Sequence, residues 1–165
     1  GFGISPSQTF ARLGAEFSFG DVIDIAANRL GRGGFYAMSA KIRPHDRLEI
    51  EPSVSGNWIA RPDERKQSER AYTETALQMN GILHLSPKNT IRMILQDART
   101  SRNPAAYAGT VASHTSRSVN SLVFAHRAAL GNALYFGWTS TKNQGSGAAS
   151  KRQQRELFLK LSVQI

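Results

Sequence analysis

The sequence predicts an all-β protein, an antiparallel up-and-down transmembrane β-barrel with about eight strands. Two observations support this fold class. Apolar and polar residues alternate with a period of two along most of the chain, and short turns alternate with long polar connections. The length of 165 residues fits one domain. Within it we expect residues 1–8 to form an N-terminal lead-in and residues 9–165 to form the barrel region.

The alternation is clearest at residues 47–59, where Leu48 and Ile50 share one parity and Glu49 and Glu51 share the other. Successive side chains of a strand point to opposite faces, whereas a helix would scatter the same residues around its surface. Runs of this kind predict eight strands, at residues 9–19, 34–43, 47–59, 70–85, 89–98, 118–127, 132–141 and 156–165.

Most of the predicted strands are about ten to thirteen residues long, against ~5–6 residues for a typical globular strand. A strand that crosses a bilayer needs ~9–11 tilted residues. The longest apolar run, Ala133–Trp138, is too short for a membrane-spanning helix. A weak helical pattern at Asp63–Gln67 is interpreted as loop. The strand lengths therefore favour a membrane-spanning sheet.

The connections differ in length between the two ends of the predicted strands. Short turns follow the second, fourth and sixth strands, at residues 43–46, 86–89 and 128–131. Long polar segments follow the other strands, at residues 20–33, 60–69, 99–117 and 142–155. A soluble barrel has no reason to sort its loops in this way, whereas outer-membrane barrels have short periplasmic turns and long extracellular loops.

With the long connections outside, five aromatic residues fall on the apolar face near the outer ends of their strands: Phe17, Phe19, Tyr36, Trp58 and Trp138. Aromatic side chains gather at membrane–water interfaces. We therefore expect these residues to form an aromatic girdle, although β-strands favour aromatic residues for other reasons as well.

Nine charged residues have the polar parity and are expected to face the lumen: Arg12, Glu16, Lys41, Arg47, Glu49, Glu51, Glu74, Arg92 and Lys160. Inside a closed barrel they would pair across strands, and they either order the lumen or line a path for an ion or solute. Small residues such as Gly14, Ala37 and Ser39 lie among them and would pack poorly as a solid plug. We therefore expect the native barrel to contain more than these eight strands.

The formal net charge is +9, and no acidic residue lies between Asp97 and Glu156. Seven basic residues fall in or beside the last two long connections: Arg99, Arg102, Arg117, Lys142, Lys151, Arg152 and Arg155. Facing outward, they would meet the phosphates of lipopolysaccharide as charge-assisted donors. An ordinary solvated loop has the same pattern. Nucleic acid is not expected as a partner, because no binding module or aromatic stacking platform accompanies the charge.

Patterns for catalysis and metal binding are weak. Ser113 and Ser116 flank His114 closely, but no acid lies in that loop to orient a catalytic base. The chain has no cysteine, and its four histidines lack ligand spacing, so neither a metal nor a cofactor is expected. The sequence predicts a non-catalytic protein, with a lipid hydrolase of the outer membrane as an alternative.

Several segments resemble one barrel family: residues 33–52, 89–96, 121–126, 131–138 and 155–162. They are similar to the C-terminal β-barrel region of large Gram-negative outer-membrane proteins that carry an N-terminal family-9-type carbohydrate-binding domain. The chain differs in having His126 and Trp138 where tyrosine is common in that family, and Ile165 where an aromatic residue usually closes the last strand.

The resemblance implies an outer-membrane location and a chain that is the C-terminal fragment of a longer barrel. It implies a pore or membrane-anchored platform, linked to carbohydrate binding or uptake. The partners would be the lipid bilayer, lipopolysaccharide and the barrel-assembly machinery, whose C-terminal signal the alternation at 156–165 resembles. The alternative is a soluble ligand-binding barrel of lipocalin type, in which the apolar parity would face a cavity and Glu49 and Glu51 would face water.

Overall fold

The computed structural model describes residues 1–25, 28–60, 70–129, 132–146 and 151–163. Within these ranges nine strands form one antiparallel sheet, in which every strand pairs with its neighbours in the chain. The strands are β1 (Phe2–Ile4), β2 (Phe10–Asp24), β3 (Arg29–His45), β4 (Leu48–Ala60), β5 (Arg70–Ser86), β6 (Asn89–Arg102), β7 (His114–Ala129), β8 (Asn132–Gly145) and β9 (Arg152–Ser162). A short 3₁₀ turn, Pro104–Ala106, lies between β6 and β7.

The predicted all-β class, antiparallel pairing and up-and-down order are confirmed. The sheet is not closed, since β1 and β9 lie at opposite edges and do not pair within the described residues. A closed barrel and its insertion into a membrane therefore stay predictions. In the part of the chain that the structure describes, no helix is long and apolar enough to cross a membrane.

The polar segment 20–33, predicted as a long connection, is instead a hairpin. β2 and β3 stay paired to their ends at Asp24 and Arg29. Asp21 lies directly opposite Arg32, so opposite charges support the ladder where the apolar alternation stops. Ile23 and Leu30 are also direct partners and are both 67% exposed. Asp21 and Arg32 interrupt the apolar positions between this pair and Phe19, which is why the period-two pattern missed this ladder.

Two other predicted connections are shorter than expected for the same reason. β6 and β7 remain paired as far as Ser101 and His114, so their connection is 103–113 rather than 99–117. β8 continues to Gly145 and β9 begins at Arg152. The predicted strands therefore had correct centres but outer ends that were mostly too short, whereas β9 ends at Ser162, before the predicted end at residue 165.

The predicted lead-in at residues 1–8 contains β1, which pairs with Leu13–Ala15 of β2. Beyond Ala60, the predicted connection 60–69 lies outside the described residues, and so does the weak helical pattern at Asp63–Gln67.

Two of the three predicted short turns lie within the described residues, and both join strands at the same end of the sheet; the third, at 128–131, includes residues outside the described ranges. Asp46 and Arg47 connect β3 to β4, and Pro87 and Lys88 connect β5 to β6. Ser86 Oγ accepts a hydrogen bond from the backbone N–H of Lys88 at 3.3 Å and steadies the second turn. We call this the turn end of the sheet and the opposite end the outer end.

The sheet buries little of its apolar surface. Among the described residues, the buried hydrophobic side chains are Ile59 and four alanines, and none of the large side chains is fully buried. Phe19 and Leu159 are 75% and 72% exposed. A sheet normally covers its apolar face with a second layer. Within the described residues, no second layer covers the apolar side chains of this sheet.

Candidate functional site

Strand pairing sorts the side chains into two faces. One rung of directly opposed residues passes through Met38, Val54 and Leu77, and the next rung passes through Ser39 and Ser53. We call the face that carries Met38 the apolar face and the opposite one the polar face. Alternation along each strand and the register between strands assign the other residues to one face or the other.

The apolar residues of the apolar face form a band that crosses the sheet obliquely. On β4 the band runs from Leu48 to Trp58, and every apolar-face position between them is apolar or glycine. Its outer limit then moves toward the turn end, to Leu77 on β5, Leu95 on β6 and Leu122 on β7. The band is widest on β4 and narrows over β6–β8.

The register between strands gives the angle at which the outer limit of the band crosses the hydrogen-bonding rungs. On β2 and β4 the band ends at Phe19 and Trp58, which share one rung that reaches His114 on β7. On β8 the band ends at Trp138, whose partner Leu122 lies eight residues nearer the turn end than His114. Eight residues extend about 26 Å along a strand, and the six strand spacings from β2 to β8 extend about 29 Å across the sheet. The band is therefore inclined by about 40° to the hydrogen-bonding rungs.

All five predicted girdle residues lie on the apolar face. Phe17 and Tyr36 are direct partners, and Phe19 and Trp58 share the next apolar-face rung outward. Trp138 marks the outer limit of the band on β8. The aromatic residues therefore follow the oblique limit of the band rather than a single rung.

Three of the predicted lumen charges form a cluster on the polar face near the turn end. Lys41 Nζ donates to Glu49 Oε1 at 2.7 Å and to Glu51 Oε1 at 2.9 Å. Arg43 Nε donates to the second oxygen of Glu49 at 2.9 Å. The side chain of Glu49 is only 18% exposed, and both its oxygens are bonded to cations. These contacts tie β3 to β4 on the polar face.

The other predicted lumen charges are less tightly held. Glu74 accepts hydrogen bonds from the Tyr72 hydroxyl and, at 3.4 Å, from Asn57 Nδ2. Four charged residues are exposed on the polar face: Arg12, Glu16, Arg92 and Lys160. Arg47 was predicted within a strand, but it lies in the turn before β4. A tight turn needs residues outside the ladder, and the sequence pattern could not place that boundary.

The seven basic residues predicted in or beside loops lie on strand ends, apart from Lys151 just before β9. Arg102 and Arg152 lie beside the observed connections, whereas Arg99, Arg117, Lys142 and Arg155 lie within strands where loops were predicted, because polar strand ends carry no alternation. Three of them lie on the apolar face: Arg99, Lys142 and Arg155. Three lie on the polar face: Arg102, Arg117 and Arg152. All seven lie on the outer side of the apolar band.

An open depression of about 740 Å³ lies on the apolar face. Its walls are mostly apolar and include Ile4, Leu13, Met38, Leu77 and Leu95. Such walls fit an apolar group, for example an acyl chain, better than a charged one.

His114 is the histidine on which the alternative of a lipid hydrolase rests. It is the first residue of β7, and its backbone N–H donates a hydrogen bond to Ser146 Oγ at 3.0 Å. Within the described ranges, no group of three His, Cys, Asp or Glu side chains could hold a metal ion. The side chain of His114 lines a second cavity, of about 460 Å³, together with Thr73, Thr75 and Ser101. Sequence reasoning missed this cavity, because its residues come from separate strands and meet only through the register.

Comparison of the chain with protein-family models, with curated proteins and with solved structures found no match. Its function must be argued from the geometry of the sheet.

Proposed function

We propose that this chain is an outer-membrane β-barrel region, with its apolar face against lipid and its polar face toward the barrel interior. The observation that carries the proposal is the inclination of the apolar band. A membrane is a flat slab, so its boundary crosses tilted strands obliquely. At the ~35–45° tilt of membrane barrels, the boundary shifts by about one residue per strand. The outer limit of the band shifts by eight residues over the six strand spacings from β2 to β8.

The width of the band supports the same proposal. From Leu48 to Trp58, β4 extends about 33 Å. At an inclination of about 40° this length covers about 25 Å along the membrane normal, the usual height of the apolar band of such barrels. Over β7 the band is narrower, because Ser118 and Asn120 occupy apolar-face positions. The lipid contact is therefore most complete on β4.

The energetics of the two faces agree with this arrangement. Exposed apolar side chains such as Phe19 and Leu159 are unfavourable in water and favourable in lipid. Charges removed from water are tolerated when they are paired, and Lys41 has two carboxylate partners on the polar face. Placing the polar face inside a barrel keeps this cluster away from the hydrocarbon.

In this setting the chain would act as a pore or membrane-anchored platform and not as an enzyme. The family resemblance favours a longer barrel linked to carbohydrate binding or uptake, assembled by the barrel-assembly machinery. The outward basic residues would meet lipopolysaccharide, whose phosphates accept charge-assisted hydrogen bonds.

Refolding of the purified chain in the presence of phospholipid vesicles tests the proposal. We expect the chain to float with the vesicles, to resist extraction by alkaline carbonate and to be protected from protease along β4 and β5. A chain that stays in the aqueous fraction, folded and monodisperse without detergent, would contradict membrane insertion.

A second candidate is a soluble protein that binds an apolar ligand on its apolar face, and the depression of about 740 Å³ favours it. The substitution Leu77→Arg distinguishes the two candidates, because Leu77 lies both in the band and in the wall of the depression. For a membrane barrel this substitution impairs insertion. For a soluble binder it abolishes fatty-acid binding and leaves the protein soluble and folded.

A further inference from the structure

We infer that the cavity of about 460 Å³ at the outer end of the apolar face binds the phosphorylated sugar headgroup of a lipid, which in an outer membrane is lipopolysaccharide. The inference rests on the proposed function, because only an apolar face turned toward lipid brings this cavity to the membrane surface.

The cavity is built on two adjacent rungs of the apolar face. The rung nearer the turn end consists of Thr75, Arg99, Ser116 and Gln144. The rung beyond it contains Thr73, Ser101 and His114. Ser146 extends the second rung, since its backbone N–H donates to the carbonyl oxygen of His114 at 2.8 Å. Four neighbouring strands thus present hydroxyl, amide, imidazole and guanidinium groups to one space.

These groups match the chemistry of a phosphorylated sugar. Hydroxyl and amide side chains both donate and accept hydrogen bonds, as the hydroxyl groups of a sugar require. Arg99 donates from Nε and Nη2 to Asp97, and the remaining N–H groups of its guanidinium can donate to a phosphate. Its side chain is 74% exposed, so it can reach a ligand at the mouth of the cavity.

The charge around the cavity favours an anion. β7 and β8 contain no acidic residue. Lys142 and Arg155 lie on the same face, between the cavity and the apolar band. Asp97 also lies on this face, but Arg99 neutralises it through an ion pair at 2.8 Å. The remaining charge is positive, and no carboxylate on β7 or β8 would repel a phosphate.

The position of the cavity relative to the band favours a lipid over a free sugar phosphate. On β5, Thr75 is the first apolar-face residue outward from Leu77, the last residue of the band. The two residues are separated by about 7 Å along the strand. A headgroup held at Thr75 would therefore leave its acyl chains against Leu77 and the wall of the apolar depression.

The experiment uses the full chain inserted into phospholipid vesicles and labelled lipopolysaccharide as the probe. Two cavity variants are compared, R99Q/S116A and T73V/T75V. The second keeps β-branched side chains and hence the strand propensity. The control is R127Q/T141V, which removes a cation and a hydroxyl from the polar face of β7 and β8. Vesicle flotation shows that each variant is inserted.

We expect both cavity variants to bind lipopolysaccharide at least tenfold more weakly and the control to change affinity less than twofold. Dephosphorylated lipopolysaccharide should also bind more weakly to the unmodified chain. Inserted cavity variants with unchanged affinity would overturn the inference and leave the proposed function standing. If inorganic phosphate alone displaced the labelled lipopolysaccharide, the ligand of the cavity would be free phosphate and not a lipid headgroup, and the inference would be wrong. Failure of the unmodified chain to enter vesicles would overturn the proposed function itself.

Discussion

Tyr36 covers Gly56 across the pair of strands β3 and β4. The two residues are direct partners, and a Cβ added to Gly56 would lie 2.6 Å from Cε1 of the tyrosine ring. On the next apolar-face rung outward the strands exchange roles, so that Trp58 of β4 covers Gly34 of β3. Each glycine thus leaves room for a ring to lie against the sheet. Aromatic–glycine pairs of this kind help to set strand register and sheet curvature.

The substitution Gly56→Ala should lower the free energy of unfolding by ~1–3 kcal/mol, because the new methyl group must displace the Tyr36 ring. Gly81→Ala is the matched control on β5, where the nearest atom to an added Cβ is Met93 Cε at 3.6 Å. Urea unfolding of the vesicle-inserted chain measures both. An equal effect of the two substitutions would show that the Tyr36–Gly56 contact does not stabilise the sheet.

The substitution Lys41→Gln should destabilise the chain, because it leaves the partly buried Glu49 with one cation fewer. In K41Q/E49Q much of this loss should be recovered, since one of the two neighbouring carboxylates is removed. A double-mutant cycle in urea measures the coupling. Strictly additive effects would mean that the ion pair contributes nothing to stability.

Adjacent residues of β4 test which face meets lipid. Val54→Arg places a charge in the middle of the apolar band and should cost ~2–4 kcal/mol of membrane-folding free energy. Ser53→Arg, on the polar face, should cost far less. Refolding yields and urea midpoints in vesicles measure both. Similar tolerance of the two arginines would contradict the assignment of faces.

Replacing Lys151, Arg152 and Arg155 together with glutamine should weaken binding to lipopolysaccharide. Arg152 and Arg155 are in β9, and glutamine keeps the backbone ladder while removing the charge. Each exposed contact is worth ~1 kcal/mol or less. The loss should therefore be largest at low ionic strength, where screening is weakest. The control is R12Q/R92Q on the polar face. If the triple variant bound lipopolysaccharide as tightly as this control at low salt, the three basic residues would be ordinary solvated side chains with no role in binding.

The sequence predicted the centres of the strands because the apolar face is continuous there, as from Leu48 to Trp58 on β4. It could not predict the polar strand ends, where pairs such as Asp21 and Arg32 hold the ladder without an apolar parity. The hydroxyl-rich cavity was also hidden from sequence reasoning. Thr73 and His114 are far apart in the chain, and only the register through β6 places them on one rung.

The inclination of the apolar band predicts how the membrane depths of the chain's two tryptophans compare. The rung through Trp58 reaches His114 on β7, whereas Trp138 is paired with Leu122, eight residues away on that strand. Eight residues correspond to about 26 Å along the strands. If the sheet lies in a membrane at a tilt of about 40°, the four strand spacings from β4 to β8 offset most of this distance. The depths of the two rings should then differ by less than about 10 Å.

Depth-dependent fluorescence quenching by brominated lipids tests the central claim most directly. The variants Trp58→Phe and Trp138→Phe each leave one tryptophan in the vesicle-inserted chain. We predict that brominated lipids quench the fluorescence of both tryptophans. For each tryptophan the most effective lipids should be those that place bromine near one and the same membrane surface. Tryptophans that no brominated lipid quenches, or depths about 25 Å apart, would contradict a tilted sheet whose apolar face lies against the bilayer.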